Sequence, residues 1–260
     1  MNTREMVNIA LRLAGLEEDT VDTEIGCPGE NIHRVLAGID MDNATLMAAK
    51  EMGYDCVVEH HGIMGRAVRI GDQMKKDQMM LMYENGVPIN VAQKAIEARA
   101  SQESRKMHSK NLNRQADFAK FIGMPYIVQD RMNRLMEEKG LFLTLQEVCD
   151  ALKEFPEIQN AVQDPAIWVG NPDSYAGKVV VMFNGVTAST AEVYNTFFDY
   201  GVGTLIMMHM PEDIAQKVRE HNKGNVIIAG HMASDSIGMN RILDEWEKEG
   251  LEVTRIGGLV

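Results

Sequence analysis

The sequence predicts an α/β protein of two interleaved lobes, each a mainly parallel sheet covered by helices, with a cleft between them. Three observations carry this. From Lys178 onward, short apolar runs alternate with helical stretches at the rhythm of a parallel sheet. Residues 34–59 supply a β-α-β unit of the roughly thirty residues that a parallel crossover needs. With 260 residues, 45% of them hydrophobic, the chain can bury a large core, which excludes disordered, collagen-like and mini-protein classes. The first lobe is drawn as 1–125 plus 225–260 and the second as 126–224, so that the carboxyl end completes the first.

The elements follow in order. Met6, Ile9, Leu13 and Leu16 at helical spacing give an opening helix that ends near Gly15. An acidic connection, Glu17 to Glu24, leads into Gly26-Cys27-Pro28-Gly29, which reads as a turn. Arg34–Asp40 reads as a buried strand. Asp42 or Asn43 can cap a helix that places Leu46, Ala49 and Met52 on one side. Gly53 stops it, and Asp55–Glu59 is the next strand. Residues 72–124 are mostly helical, with a short extended piece or turn at Gly86–Val91. The charged span Gln93–Arg114 has weak apolar periodicity and predicts exposed helices. Pro125–Val128 is a strand, Asp130–Lys139 a polar helix, and Thr144-x-x-Glu147 a capping box for a helix through Lys153. Phe155–Gly177 is loop-rich, although Ile167, Trp168 and Val169 call for burial. Strand Lys178–Phe183, helix Ser189–Tyr200, strand Thr204–Met207, helix Pro211–His221, strand Asn225–Ala229, helix Ser236–Gly250 and strand Leu251–Ile256 complete the chain.

Charge narrows the function. Lysine and arginine number 26 against 38 aspartates and glutamates, a net charge of −12, which excludes a broad nucleic-acid or anionic-membrane footprint. A small anionic ligand would then need a local positive device such as a bound metal. Cys27, Cys56 and Cys149 are odd in number and far apart, so neither a disulfide framework nor a Cys-x-x-Cys site is implied. The amino terminus lacks an apolar signal centre, and no apolar run is long enough to cross a bilayer. The expected location is the cytoplasm. No glycine-rich nucleotide loop or nucleophile elbow is present. Asn184-Gly185 with Thr187 and Ser189 reads as a turn and a helix cap. The 20 methionines fit adaptable core packing where aromatics are scarce.

The seven histidines carry the functional argument through their positions. His60 and His61 follow the strand ending at Glu59. His209 follows Thr204–Met208, and His231 follows Asn225–Gly230. All four sit at carboxyl ends of strands, the edge where ligands bind in open α/β sheets. His33 lies at an amino end, and His108 and His221 lie in polar helical stretches, as bystanders. Adjacent histidines on an extended strand point to opposite sides, but a turn at Gly62 can swing both toward one centre. Neutral imidazole is a common metal ligand. If the chain turns helical after His231, Asp235 lies four residues on and shares its face. A carboxylate there can bridge two cations. Met207, Met208 and Met210 around His209 also suit simple core packing. Glu59 is a general base beside the ligand pair or, equally, a strand residue facing solvent.

At Ala37–Asp40, Glu59-His60-His61-Gly62 and Val226–Gly238, with the two histidine motifs the most specific part, the sequence resembles the Nif-three-like dinuclear metal-centre family, the type-2 GTP cyclohydrolase I-like proteins. Gly86–Val91 and Asn113-Arg114 through Pro125 look like a less characterised branch with an inserted helical segment. The resemblance spans nearly the whole chain. It implies two α/β lobes, metal ligands at His60, His61, His231 and Asp235, and a ring-like homo-oligomer, commonly a hexamer. The family's further His-x-x-x-Asp element is expected just after Pro125–Val128, yet the chain there reads Gln129-Asp130-Arg131-Met132-Asn133. Asp130 can substitute as a ligand or cap the following helix, and His108 is a further recruit from the insertion.

These residues and the resemblance together imply a metal-dependent hydrolase with a dinuclear centre acting on a small phosphorylated or nucleotide-like substrate. The expected cofactor is one or two divalent transition-metal ions, zinc, manganese or iron, given imidazole and carboxylate donors without thiolate. The competing class is a non-catalytic metal-binding or regulatory oligomer, which the incomplete third motif favours. Opening of the GTP ring is a third option, though nothing in the chain selects a purine.

Overall fold

A computed structural model of the chain describes residues 1–129, 143–183 and 188–260. The fold divides into two compact units. The first comprises Met1–Ile70, Lys106–Met132 and Asp235–Val260; the second, Gly71–Arg105 and Asn133–Ser234. Among the described residues, no helix is long and apolar enough to cross a membrane.

The first unit is built on a five-stranded sheet. Its strands are β1 (Thr23–Cys27), β2 (Arg34–Gly38), β3 (Cys56–Glu59), β4 (Tyr126–Gln129) and β9 (Glu252–Ile256), in the spatial order β1-β4-β3-β2-β9. All neighbours are parallel except the edge pair β1–β4. Side chains alternate across this sheet, as the period of two requires. Val35, Ala37, Cys56, Val58 and Ile127 face α1 (Thr3–Leu13) and α10 (His231–Lys248, in this unit from Asp235), in a core closed by Met6, Ile242 and Trp246. Leu36, Val57, Tyr126 and Val128 face the other way, with Leu46 and Ala49 of α2 (Asn43–Glu51) and Ala116 and Ala119 of α5 (Arg114–Ile122). Strands buried on both faces read as unbroken apolar runs, which is why the sequence shows them clearly. The Trp246 indole N–H donates to the Met6 carbonyl at 3.2 Å and fastens α10 to α1. A 3-10 turn, Gly65–Arg69, follows the bend after β3.

The second unit has a four-stranded sheet of β5 (Ala166–Val169), β6 (Val179–Met182), β7 (Thr204–Met207) and β8 (Asn225–Ile228), ordered β5-β8-β7-β6. Only β5 is antiparallel. One face carries α3 (Ile70–Glu84), α4 (Ile89–Met107), α8 (Ala191–Asp199) and α9 (Glu212–His221), which meet the sheet through Met82, Ile96, Tyr194, Phe197 and Val218. Helix α6 (Leu145–Leu152) starts at a complete capping box between Thr144 and Glu147, and the one-turn α7 (Pro156–Gln159) follows.

Several sequence expectations change. The turn expected at Gly26–Gly29 begins within β1, because antiparallel pairing to β4 carries the chain through Cys27. Part of the loop-rich stretch is β5, held at the sheet edge by β8. Met52 is not on the buried side of α2; it follows the last turn and is 65% exposed. Helix α4 is not merely exposed, since Ala92, Ala95, Ile96 and Ala100 form a buried face. Helix α10 starts at His231, five residues before the expected Ser236. The units also differ from the lobes drawn on the sequence. Residues 71–105 and strand β8 lie in the second unit, while β4 lies in the first, because β8 pairs with β7 and β4 with β3. The expected helix Asp130–Lys139 and the turn at Asn184-Gly185 lie outside the described residues.

Candidate metal centre

The geometry starts at the carboxyl end of β3. Register with β2 runs to Gly38–Glu59, and beyond it the His60 and His61 amides still donate to the Gly38 and Ile39 carbonyls at 3.0 and 2.9 Å. The backbone of both histidines is therefore tied down. Gly62 follows where a Cβ would collide with Val128 and lie 2.7 Å from the Tyr126 hydroxyl, so the bend that turns both rings requires glycine.

Each ring is held at one nitrogen and presents the other. His60 Nδ1 lies 3.1 Å from the Gln129 main-chain carbonyl oxygen, which can only accept, so this nitrogen carries a proton. Its Nε2 lies 3.4 Å from Asp235 Oδ1. His61 Nδ1 lies 2.9 Å from Asp40 Oδ1, and its Nε2 lies 3.1 Å from Asp235 Oδ2. The ring centroids are 5.1 Å apart. His60, His61 and Asp235 each bring one ligand atom within 4.8 Å of the others. The Asp235 side chain is only 3% exposed.

This arrangement fits a cation. With Nδ1 of both rings donating, neutral imidazoles would aim two lone pairs at a buried carboxylate, so acceptor would face acceptor. Protons on the rings or on the carboxylate, or a metal among the three groups, would resolve this. Burial disfavours the charged form of His61, but its hydrogen bonds to Asp235 and Asp40 outweigh this and raise its pKa above the ordinary 6.5. A histidine ligand whose second nitrogen is fixed by a carboxylate or carbonyl is the usual support of a metal site. Two nitrogens and a carboxylate suit zinc, manganese or iron.

The second unit holds another imidazole pair. His209 stands two residues past β7, and His231 opens α10 three residues past β8. Because β7 and β8 are parallel neighbours, the two rings lie side by side with centroids 4.8 Å apart. His231 and Asp235 are one helical turn apart on α10, as their spacing implied.

Glu59 is not the solvent-facing residue that its alternative reading allowed. It is 3% exposed and accepts from the Met41 amide at 3.1 Å, Gln115 Nε2 at 2.9 Å and the Tyr126 hydroxyl. Burial raises its carboxyl pKa, against those three hydrogen bonds. By strand alternation it leaves the sheet on the side opposite His60. Asp130 lies outside the described residues. His33 and His108 are exposed, and His221 pairs with Asp199 at 3.0 Å. Sequence reasoning assigned no role to Asp40 or Gln129 in orienting the histidines. Asp40 stands at the carboxyl end of a strand, the signal that found His60; a main-chain carbonyl such as that of Gln129 leaves no signal.

Residues 3–257 match the family model described as Duf34/NIF3 (NGG1p interacting factor 3). The chain belongs to this family. A NIF3 superfamily protein from Sphaerobacter thermophilus superposes with a TM-score of 0.90 at 29% identity, covering 100% of this chain and 99% of that one. Reduced HcgD from Methanocaldococcus jannaschii gives a TM-score of 0.59 at 10% identity, covering 98% and 97%. TTHA1606 from Thermus thermophilus gives 0.54 at 15% identity, over 98% and 97%. These last two share the NIF3 fold. Comparison with curated proteins returned no match.

Proposed function

We propose that this NIF3-family chain is a metal-dependent hydrolase with a dinuclear centre, acting on a small phosphorylated or nucleotide-like substrate. The observation that carries the reading is the convergence of His60 Nε2 and His61 Nε2 on the two oxygens of one buried carboxylate, Asp235. These three would hold one ion. His231, a turn before Asp235 on α10, would hold a second, with His209 beside it as a further donor. When bound, divalent cations lower the pKa of a coordinated water and offset substrate charge. In a protein of net charge −12, that local positive charge is what would draw an anion to this place.

The chain's own residues then do the following. Asp40 and the Gln129 carbonyl orient the two rings. Glu59, saturated by three donors, is a positioning group: it holds the Met41 amide and with it the neighbouring Asp40. Proton transfer from a nucleophilic water would then fall to Asp235 or to a substrate oxygen. Metal analysis of protein purified without chelator tests the centre. At least one equivalent of transition metal is expected, lost in the His60→Ala, His231→Ala double variant. A panel of phosphomonoesters, phosphodiesters and GTP tests the chemistry, with metal-dependent turnover of at least one class expected.

The engagement of Glu59 favours a second reading, a non-catalytic metal-binding or regulatory homo-oligomer, because it leaves the centre without the base the sequence suggested. Silence across the substrate panel, together with an oligomer mass that changes on chelation, would select it.

A further inference from the structure

The carboxamide of Gln129 has an unmatched atom. Gln129 is 1% exposed, and its Nε2 donates to Thr23 Oγ1 at 3.2 Å, but its Oε1 is sealed from solvent and accepts no hydrogen bond among the described residues. A buried acceptor without a donor costs stability, and an apolar residue would avoid the cost. The strand would accommodate one, since Ile127 two residues earlier is fully buried on the same face.

Register says what Oε1 faces. Glu59 pairs with Val128, so His60 follows beside Gln129, and the His60 ring is bonded to the Gln129 carbonyl. The two side chains leave the same face of neighbouring strands, the face covered by α10, on which Asp235 stands. Neighbours of this kind have Cβ atoms roughly 5 Å apart. Gln129 Nε2 points toward Thr23 of β1, on the side of β4 away from His60, which leaves Oε1 as the end available to the centre. The His60 ring is held through Nδ1, and a ligand oxygen beyond it would meet that acceptor.

We infer that Gln129 is a positioning residue of the centre, whose Oε1 accepts a hydrogen bond from a water held by the ion that His60, His61 and Asp235 ligate. This rests on the metal reading above. It accounts for a polar side chain in an apolar row, and it places an uncharged acceptor where a coordinated water must be oriented.

The test is competition of the full chain against a chelator for Zn²⁺, with melts in the presence and absence of Zn²⁺. Gln129→Met removes the acceptor and keeps the length; Gln129→Glu keeps an acceptor. About a tenfold loss of zinc affinity is expected in the first and none in the second, while the metal-free melting temperature of Gln129→Met is not lowered. A purely structural role, exercised through the bond to Thr23, would instead lower that temperature and leave affinity alone. Wild-type affinity in Gln129→Met would overturn the inference. Should that variant not fold, Gln129→Glu decides: binding at least as tight as wild type supports it, and a tenfold loss refutes it. Zinc binding by wild type that survives His61→Ala and Asp235→Asn would sink the metal centre itself, a different result from either.

Discussion

Asp40 offers a sharp test of the centre because it touches a ligand without being one. Its Oδ1 holds His61 Nδ1 at 2.9 Å, while its side chain is 68% exposed. Losing a carboxylate that orients a metal-bound histidine costs about 10–100-fold in metal affinity. Solvent on the far side of Asp40 weakens its hold, so the lower end applies: about tenfold, or ~1.4 kcal/mol, for Asp40→Ala. At a zinc concentration one hundred times the wild-type Kd, binding stabilises the wild type by about 2.7 kcal/mol. A tenfold weaker variant gains about 1.4 kcal/mol under the same conditions. At about 2–4 °C per kcal/mol, zinc should raise the Tm of Asp40→Ala by about 3–5 °C less than that of wild type. An exposed residue that caps no helix should leave the metal-free stability within about 0.5 kcal/mol of wild type. Asp40→Asn keeps an acceptor without the charge and should fall between. Scanning calorimetry with and without zinc gives all six numbers. Equal zinc shifts in wild type and Asp40→Ala would refute the orienting role; an equal drop in both states would make Asp40 a stability residue only.

Three further outcomes follow from the fold. Trp246→Phe removes the indole bond to Met6 and ring volume from a side chain with no exposure, and should cost about 2 kcal/mol by denaturant unfolding; a cost under half of that would contradict its place in the core. Gly71→Ala should destabilise, although alanine favours helices by about 1 kcal/mol, because its Cβ meets the Ala100 carbonyl and Ser104 of α4 and overpacking costs about 1–3 kcal/mol. A rise in Tm would show that α4 yields freely. Asp42 caps α2 through the Thr45 amide and hydroxyl, which hold its pKa below 3.8. A depressed folded pKa gives stability that is present above 3.8 and lost as pH falls through the folded value. The Tm gap between wild type and Asp42→Asn should therefore persist at pH 5 and close under stronger acid; a gap independent of pH would remove the charge from the cap.

What the sequence made legible follows the physics of burial. Strands β2, β3, β7 and β8 lie inside their sheets and β6 at an edge, all with residues buried on both faces, and their runs of valine, isoleucine and leucine stand out. The antiparallel edges β1 and β5 were hidden because each is partly exposed and interrupted in pattern: Gly26 sits within β1, and Ala166 and Trp168 of β5 are open to solvent. Helix α4 misled for another reason. Its buried face is largely alanine, which contributes little to a hydrophobic periodicity, and it includes Glu103, 2% exposed and paired with Arg99 at 2.9 Å. At the centre, His60, His61 and Asp235 were legible because their residue types announce their chemistry. Gln115 and Tyr126 were not, since what matters is that they converge on Glu59 from separate elements. Linear spacing does not encode that meeting.

The order of β9 and α10 in the chain sets a schedule. His61 and Asp235 meet across 174 residues of sequence, and β2 lacks its outer neighbour until Glu252–Ile256 has been made. At roughly 5–20 residues per second, about 10–35 s of synthesis separate the first histidine pair from its carboxylate. The second sheet, whose last strand ends at Ile228, has all its strands encoded ahead of both. A nascent chain therefore exposes two imidazoles without the anion that completes their site. Ion capture belongs to the end of folding, and a chain cut short before Asp235 carries every strand of one sheet but no complete centre.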